Sequence, residues 1–235
     1  MLKRIVLSLL ALGFSATVHA MGVEDDPLLA MVKLDKLEVH ENSDGPNPWS
    51  WKADAWLGRD LHKLWLKTEG EYHDGETEEM ELQLLYSRAI TPFWDLQLGA
   101  RRDFKPEPER DWLAIGINGL APYLFEVDAA LFIGEEERLA ARLDAEYEYM
   151  FTQRLVLIPE MEANLYSKDD VQRGTGKGLA DLTLGLRLAY EFRREFAPYI
   201  GYSWTALYGD TADYAEAAGG DRRSGTWVAG FKGWF

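Results

Sequence analysis

The stretch Asp181-Leu182-Thr183-Leu184-Gly185-Leu186-Arg187-Leu188-Ala189-Tyr190-Glu191 puts an apolar side chain at every even position and, Ala189 apart, a polar or small one at every odd position. A period of two over about ten residues is the pattern of a strand with one greasy and one wet face, at the length of a tilted membrane-spanning strand. The same split recurs on both sides of it. Leu139, Ala141, Leu143 and Ala145 oppose Arg142, Asp144, Glu146 and Glu148, and Tyr123, Phe125, Val127, Ala129, Leu131 and Ile133 oppose Glu126 and Asp128. Met80, Leu82, Leu84 and Tyr86 oppose Glu79, Glu81 and Gln83, while Trp94, Leu96 and Leu98 oppose Asp95, Gln97 and Arg101. A water-soluble sandwich alternates too, with its greasy face inside, so periodicity by itself does not fix the direction.

Strand number and connection lengths fix it. Strands are predicted over 31–40, 50–58, 61–72, 78–90, 93–103, 111–119, 123–133, 139–151, 154–166, 179–191, 197–208 and 225–235, an even set of twelve. Tight turns at Arg59-Asp60, Thr91-Pro92, Ala121-Pro122, Thr152-Gln153 and Arg193-Arg194 alternate with longer links at 41–49, 73–77, 104–110, 134–138, 167–178 and 209–224. Short periplasmic turns alternating with longer outer loops characterise outer-membrane barrels. The chain also finishes on a strand, Trp227 to Phe235, whose terminal aromatic resembles a carboxy-terminal assembly signal. The expected fold is an all-β, antiparallel 12-stranded transmembrane β-barrel of the bacterial outer membrane, spanning 31–235.

Composition narrows the function. The 40 acidic against 25 basic residues give a net charge of -15, which repels phosphate and removes the counterion-release term of nucleic-acid binding. With no cysteine there is no disulfide, no thiolate metal site and no thiol nucleophile. The 9 Trp, 11 Tyr and 10 Phe suit two interfacial belts. Lys3 and Arg4, the apolar run Ile5 to Val18 and Val18-His19-Ala20 read as a signal peptide over 1–20, followed by a short acidic periplasmic segment over 21–30. No later run of 18 apolar residues can form a membrane helix.

With the greasy face on lipid, the lumen receives Lys67, Glu69, Glu71, Glu79, Glu81, Asp95, Arg101, Glu126, Asp128, Arg142, Asp144, Glu146, Glu148, Glu160, Glu162, Asp181, Arg187 and Glu191. A three-residue turn at Asp74-Gly75-Glu76 would pair His73 with Thr77, Glu71 with Glu79 and Glu69 with Glu81. Carboxylates directly opposite one another repel, so a cation is expected beside them: Lys67, Arg101, or a divalent metal held with the His73 imidazole. Counting about Thr152 likewise sets Arg142 against Glu162, which neutralises that region internally. Catalytic chemistry is thin, and no enzyme is expected. Gly201-Tyr202-Ser203-Trp204-Thr205 fails the nucleophile-elbow pattern at its last place and lies within a strand. Gly174-Thr175-Gly176-Lys177-Gly178 lacks the strand-to-helix context of a phosphate loop. His62, in the apolar register, is the single candidate for a membrane lipase and reads better as an interfacial polar residue.

The strings Ala55-Trp56-Leu57-Gly58-Arg59-Asp60-Leu61, Trp65-Leu66-Lys67-Thr68-Glu69-Gly70-Glu71, Glu81 to Ile90, Phe93-Trp94-Asp95-Leu96-Gln97, Gly119-Leu120-Ala121-Pro122-Tyr123 and Arg194-Glu195-Phe196-Ala197-Pro198-Tyr199 resemble the copper resistance protein B family of outer-membrane proteins. The resemblance runs from about residue 31 to the end. It implies a barrel of copper resistance and homeostasis that binds or passes copper ions through its acidic lumen. The partners it implies are copper ions, outer-membrane lipid and other proteins of a copper-resistance operon, such as a periplasmic multicopper oxidase. Many relatives carry a Met- and His-rich segment before the barrel; here Met21 to Ala30 offers one Met and three acids. Copper binding would therefore fall to the barrel and its loops, with His73, Glu71, Glu79 and His40 as candidate ligands and Met31 as an inner alternative. A passive cation-selective channel without a copper site is the competing expectation.

Overall fold

The computed structural model describes residues 26–42 and 45–235. The signal peptide expected over 1–20 lies outside the described residues, as does the first half, 21–25, of the acidic segment after it. The strands are β1 (Leu29–His40), β2 (Trp49–Gly58), β3 (His62–His73), β4 (Glu76–Thr91), β5 (Trp94–Lys105), β6 (Arg110–Ala121), β7 (Phe125–Gly134), β8 (Leu139–Glu146), β9 (Tyr149–Met150), β10 (Leu155–Tyr166), β11 (Gly178–Tyr190), β12 (Phe196–Leu207) and β13 (Arg223–Trp234). A helix, α1 (Gly209–Ala217), stands in the last outer loop. Neighbours pair antiparallel, and β13 returns to pair with β1, closing the sheet.

Because β8 and β9 both pair with β10, they form one interrupted stave and the closed barrel has 12 staves. The interruption has a local cause. Tyr147 N–H donates to the Pro159 carbonyl at 3.1 Å, but proline has no N–H to return the bond, so the ladder lapses for one rung.

Side-chain direction follows the expected sense. Leu64, Leu66, Leu84, Leu113, Ile115, Leu131, Leu186 and Ile200 are exposed on the outer wall, whereas Glu38, Glu81, Arg101, Asp103 and Arg187 are buried. Phe93, Tyr123, Tyr149, Phe151, Phe192 and Phe235 are exposed around the short-turn rim, and Trp49, Tyr72 and Trp227 toward the long-loop rim, giving two aromatic girdles. The inner wall is less uniformly charged than the alternation implied. Leu85, Trp112, Ala114, Phe132 and Ala140 form one enclosed apolar cluster, and Val156, Ile158, Ala189, Ala197 and Tyr199 form another. A barrel of this size fills its bore with side chains, and apolar ones fill it without needing partners.

Three local expectations shift. The β3–β4 turn is Asp74-Gly75, with φ of 46° and 92°, the two-residue geometry that Asp-Gly favours. A bulge between Glu71 and Tyr72 absorbs the difference, so Glu71↔Glu79 and Glu69↔Glu81 hold as expected while His73 faces Glu76. The turn before β10 centres one residue later than Thr152, which sets Arg142 opposite Asn164 and Asp144 opposite Glu162. Link 209–224 contains α1, whose apolar positions are only alanines and a tyrosine and so gave no clear helical stripe.

One glycine has a steric reason. On the outer wall Gly70 lies beneath Trp51, and a Cβ there would fall 2.5 Å from the Trp51 ring and 2.4 Å from the Glu79 carbonyl. Gly70→Ala is expected to lower stability by about 1–3 kcal/mol through overpacking, measured by urea unfolding of the detergent-folded barrel; an unchanged midpoint would refute the close approach.

Candidate functional site: a divided acidic lumen

The lumen contains two cavities. The outer one, about 430 Å³, lies under the long loops and is lined by Glu69, Glu71, Glu79, Glu162 and Asp181, with Arg101, Arg138 and Arg173 on its other walls. The inner one, about 130 Å³, lies toward the short turns among Lys33, Asp35, Lys36, Lys52, Asp54 and Glu126. Glu69, Glu81, Arg142 and Glu162 border both.

Arg142 is the centre of that partition. It projects inward from β8, and its Nη1 donates to Glu69 and, at 3.1 Å, to Glu81 Oε1. Nη2 reaches Glu81 Oε2 at 3.0 Å, and Nε donates to Asn164 at 2.9 Å. Glu162 lies 3.8 Å away, so the neutralisation expected from a directly opposite pair occurs across a diagonal. Arg101 bridges Glu81 at 2.7 Å and Asp103 at 2.6 Å. Lys52 reaches across the bore from β2 to Asp144 at 2.8 Å and to Glu69 at 3.7 Å. The result is a septum of charged side chains, each satisfied by a neighbour on another stave.

A second knot joins side chains of β1, β10 and β11. Arg187 donates to both carboxylate oxygens of Glu38 and contacts Glu160, which also takes Lys36 at 2.8 Å. Gly185 makes room for it, since a Cβ there would fall 2.2 Å from Arg187 Nη1 and 2.5 Å from Glu160 Oε1.

The four candidate ligands divide. Glu71 and Glu79 face each other on one rung and both line the outer cavity. Neither carboxylate accepts a hydrogen bond or has a cation within 4.0 Å among the described residues. His73 turns toward the loop, with Nδ1 3.2 Å from Glu78 and Nε2 3.1 Å from the Pro46 carbonyl. His40 Nε2 shares a 2.8 Å hydrogen bond with Ser50 Oγ and lies 3.6 Å from Glu38. Among the described residues no three His, Cys, Asp or Glu side chains converge as a metal-binding group.

Sequence reading missed the lumen residues of β1 and β2: Lys33, Lys36, Glu38, Lys52 and Asp54. The register of β1 against β2 slips between Leu34 and Lys36, so the inward parity passes from Lys33 and Asp35 to Lys36, Glu38 and His40. A one-residue bulge inverts every later side chain, and alternation counting hides such a strand. The available signal was the charged run Lys33, Asp35, Lys36, Glu38 itself.

Outer loops roof the larger cavity. Asp170 is held by Arg110 at 3.0 Å and Arg138 at 2.8 Å, Arg173 donates to the Pro108 carbonyl at 3.0 Å, and Gly176 N–H donates to Thr211 of α1 at 2.8 Å. Arg222 clips α1 through Asp213 at 2.6 Å and Glu216 at 2.5 Å. Its hydrogen bond holds the Glu216 carboxyl below the usual range, so the clip is intact above that range and loosens as pH falls through the lowered value.

Residues 28–235 match the family described as copper resistance protein B precursor. The chain belongs to the copper resistance protein B family. It is 47% identical over 214 residues to copper resistance protein B of Escherichia coli, covering 91% of this chain and 72% of that one. A copper resistance protein B homolog of Pseudomonas syringae pv. tomato is 42% identical over 213 residues, again covering 91% and 72%. Among solved structures, the NanC porin superposes with a TM-score of 0.56 at 11% identity, covering 87% of this chain and 99% of that one. The KdgM porin superposes at 0.52 and 10% identity, covering 88% and 99%. At such identities these likenesses speak for the barrel alone. Family membership, a closed barrel and an apolar outer wall together place the protein in the outer membrane.

Proposed function

We propose that this barrel serves copper resistance by admitting copper ions to its outer cavity, where the carboxylates of Glu71 and Glu79 hold them loosely. The observation that carries this reading is the unneutralised pair: two acids on one rung, facing a cavity, while Glu69 and Glu81 on the next rung inward are matched with Arg142. Repulsion between opposed carboxylates is relieved by a shared cation. Two oxygen donors form a weak, exchangeable set that suits Cu(II) better than soft Cu(I), which prefers thioether or thiolate. Weak attraction is what entry and release require. His40 and His73 flank the outer mouth as alternative imidazole contacts once their present hydrogen bonds open. Operon partners such as a periplasmic multicopper oxidase fit the same reading as recipients or sources of the metal.

The test is Cu(II) titration calorimetry on the detergent-folded barrel. Glu71→Gln with Glu79→Gln is expected to weaken binding at least tenfold, and His73→Ala by less. Unchanged affinity in the double variant would remove this site and leave the family role standing. A passive cation channel would instead show cation-selective bilayer conductance without copper in the unaltered protein, which the Arg142 septum opposes.

A further inference from the structure

Arg88 occupies an unusual position. It is exposed on the outer wall of β4, in the register of Leu84 and Tyr86, while its neighbour Ser87 is fully buried on the lumen side and donates to Asp95 at 3.1 Å. Exposed Ile90 and Phe93 lie beyond it toward the short-turn rim, and Tyr86 and Leu84 lie on its other side. The guanidinium is thus bracketed by apolar side chains at the level of the inner aromatic girdle. Among the described residues it makes no ion pair, hydrogen bond or ring contact.

A charge on the lipid face is costly at the midplane and tolerable near an interface, where it can reach polar headgroups. Its surroundings supply more than position. His62 is the residue directly opposite on β3, also exposed, and its Nδ1 is 2.5 Å from the Tyr86 hydroxyl, with the two rings stacked at 5.8 Å. That contact fixes the imidazole and leaves its Nε2 edge directed away from Tyr86. Lipid phosphate is the one abundant anion at this depth, and a guanidinium binds phosphate oxygens in a bidentate fork.

We propose that Arg88, with His62 oriented by Tyr86, binds the phosphodiester of a phospholipid in the periplasmic leaflet of the outer membrane. The headgroup sits at the end of the β3–β4 pair, and its acyl chains lie along Leu64, Leu66 and Leu84. This site is on the opposite wall from the lumen and does not depend on how copper is handled.

Native mass spectrometry of the full barrel, released from detergent supplemented with phosphatidylglycerol, tests it. The unaltered protein is expected to retain one phospholipid, Arg88→Gln to lose retention at least tenfold, His62→Ala to lose it less, and Arg88→Lys to fall between. Arg154→Gln, in the short turn before β10 on the far side of the barrel, should retain lipid as the unaltered protein does. Equal retention in Arg88→Gln overturns the proposal. So does competition by millimolar inorganic phosphate, which would identify a free-anion site in place of a lipid one.

Discussion

Arg187→Met is expected to lower the stability of the barrel by about 3–5 kcal/mol, because it strands the Glu38 carboxylate that the arginine now neutralises. Glu38 is 1% exposed and Arg187 is 4% exposed, so water cannot replace the lost partner. Lys36 remains on Glu160, which leaves Glu38 as the injured group, with only the His40 imidazole 3.6 Å away. Arg187→Lys should recover only part of the loss, since an ammonium cannot serve both Glu38 oxygens and Glu160 in the planar geometry seen here. The double change Glu38→Leu with Arg187→Met should be less damaging than Arg187→Met alone, as removing both charges also removes their desolvation penalty. Urea unfolding of the parent, Arg187→Met, Glu38→Leu and their double in one detergent gives the cycle; Arg187→Met as stable as the parent would show that the knot is not needed.

The second large effect concerns passage. Arg142→Gln removes the group that joins Glu69, Glu81 and Glu162 across the bore, and these acids then repel one another. The two cavities should merge, and planar-bilayer recordings should show cation-selective conductance at least several-fold above the parent. Glu81 keeps Arg101 at 2.7 Å, so the variant should still fold, with a stability loss below that of Arg187→Met. Silence in the bilayer together with a native unfolding curve would mean that the closure lies elsewhere, for instance in the roof tied down by Asp170.

Most of the barrel was legible because membrane strands obey a period of two and each face meets a single solvent. The Glu71↔Glu79 rung could be counted from Asp74-Gly75 because a bulge compensated for the shorter turn. What escaped had physical causes that local pattern does not carry. The bulge in β1 reversed its parity and concealed Lys36 and Glu38. Pro159 broke the eighth stave through a bond it cannot donate, and only the register of the hairpin shows that it faces Tyr147. Arg142, expected to face Glu162 directly, has Glu69 and Glu81 as its closest acid partners, two staves reached across the bore, and no count along one hairpin reveals a partner there. His73 was expected beside the carboxylate pair, but the rung shift at Tyr72 turns it to Glu78 and Pro46.

The pairing of β1 with β13 carries a consequence for biogenesis. Val32 and Phe235 exchange backbone hydrogen bonds of 3.0 and 2.8 Å, so the earliest and latest parts of the sheet complete each other. Until the final residues are in place, both margins present unmet amides to hydrocarbon, where no water can serve them. Insertion therefore has no comfortable halfway point, and a nascent sheet must be chaperoned at both margins until the circle is complete.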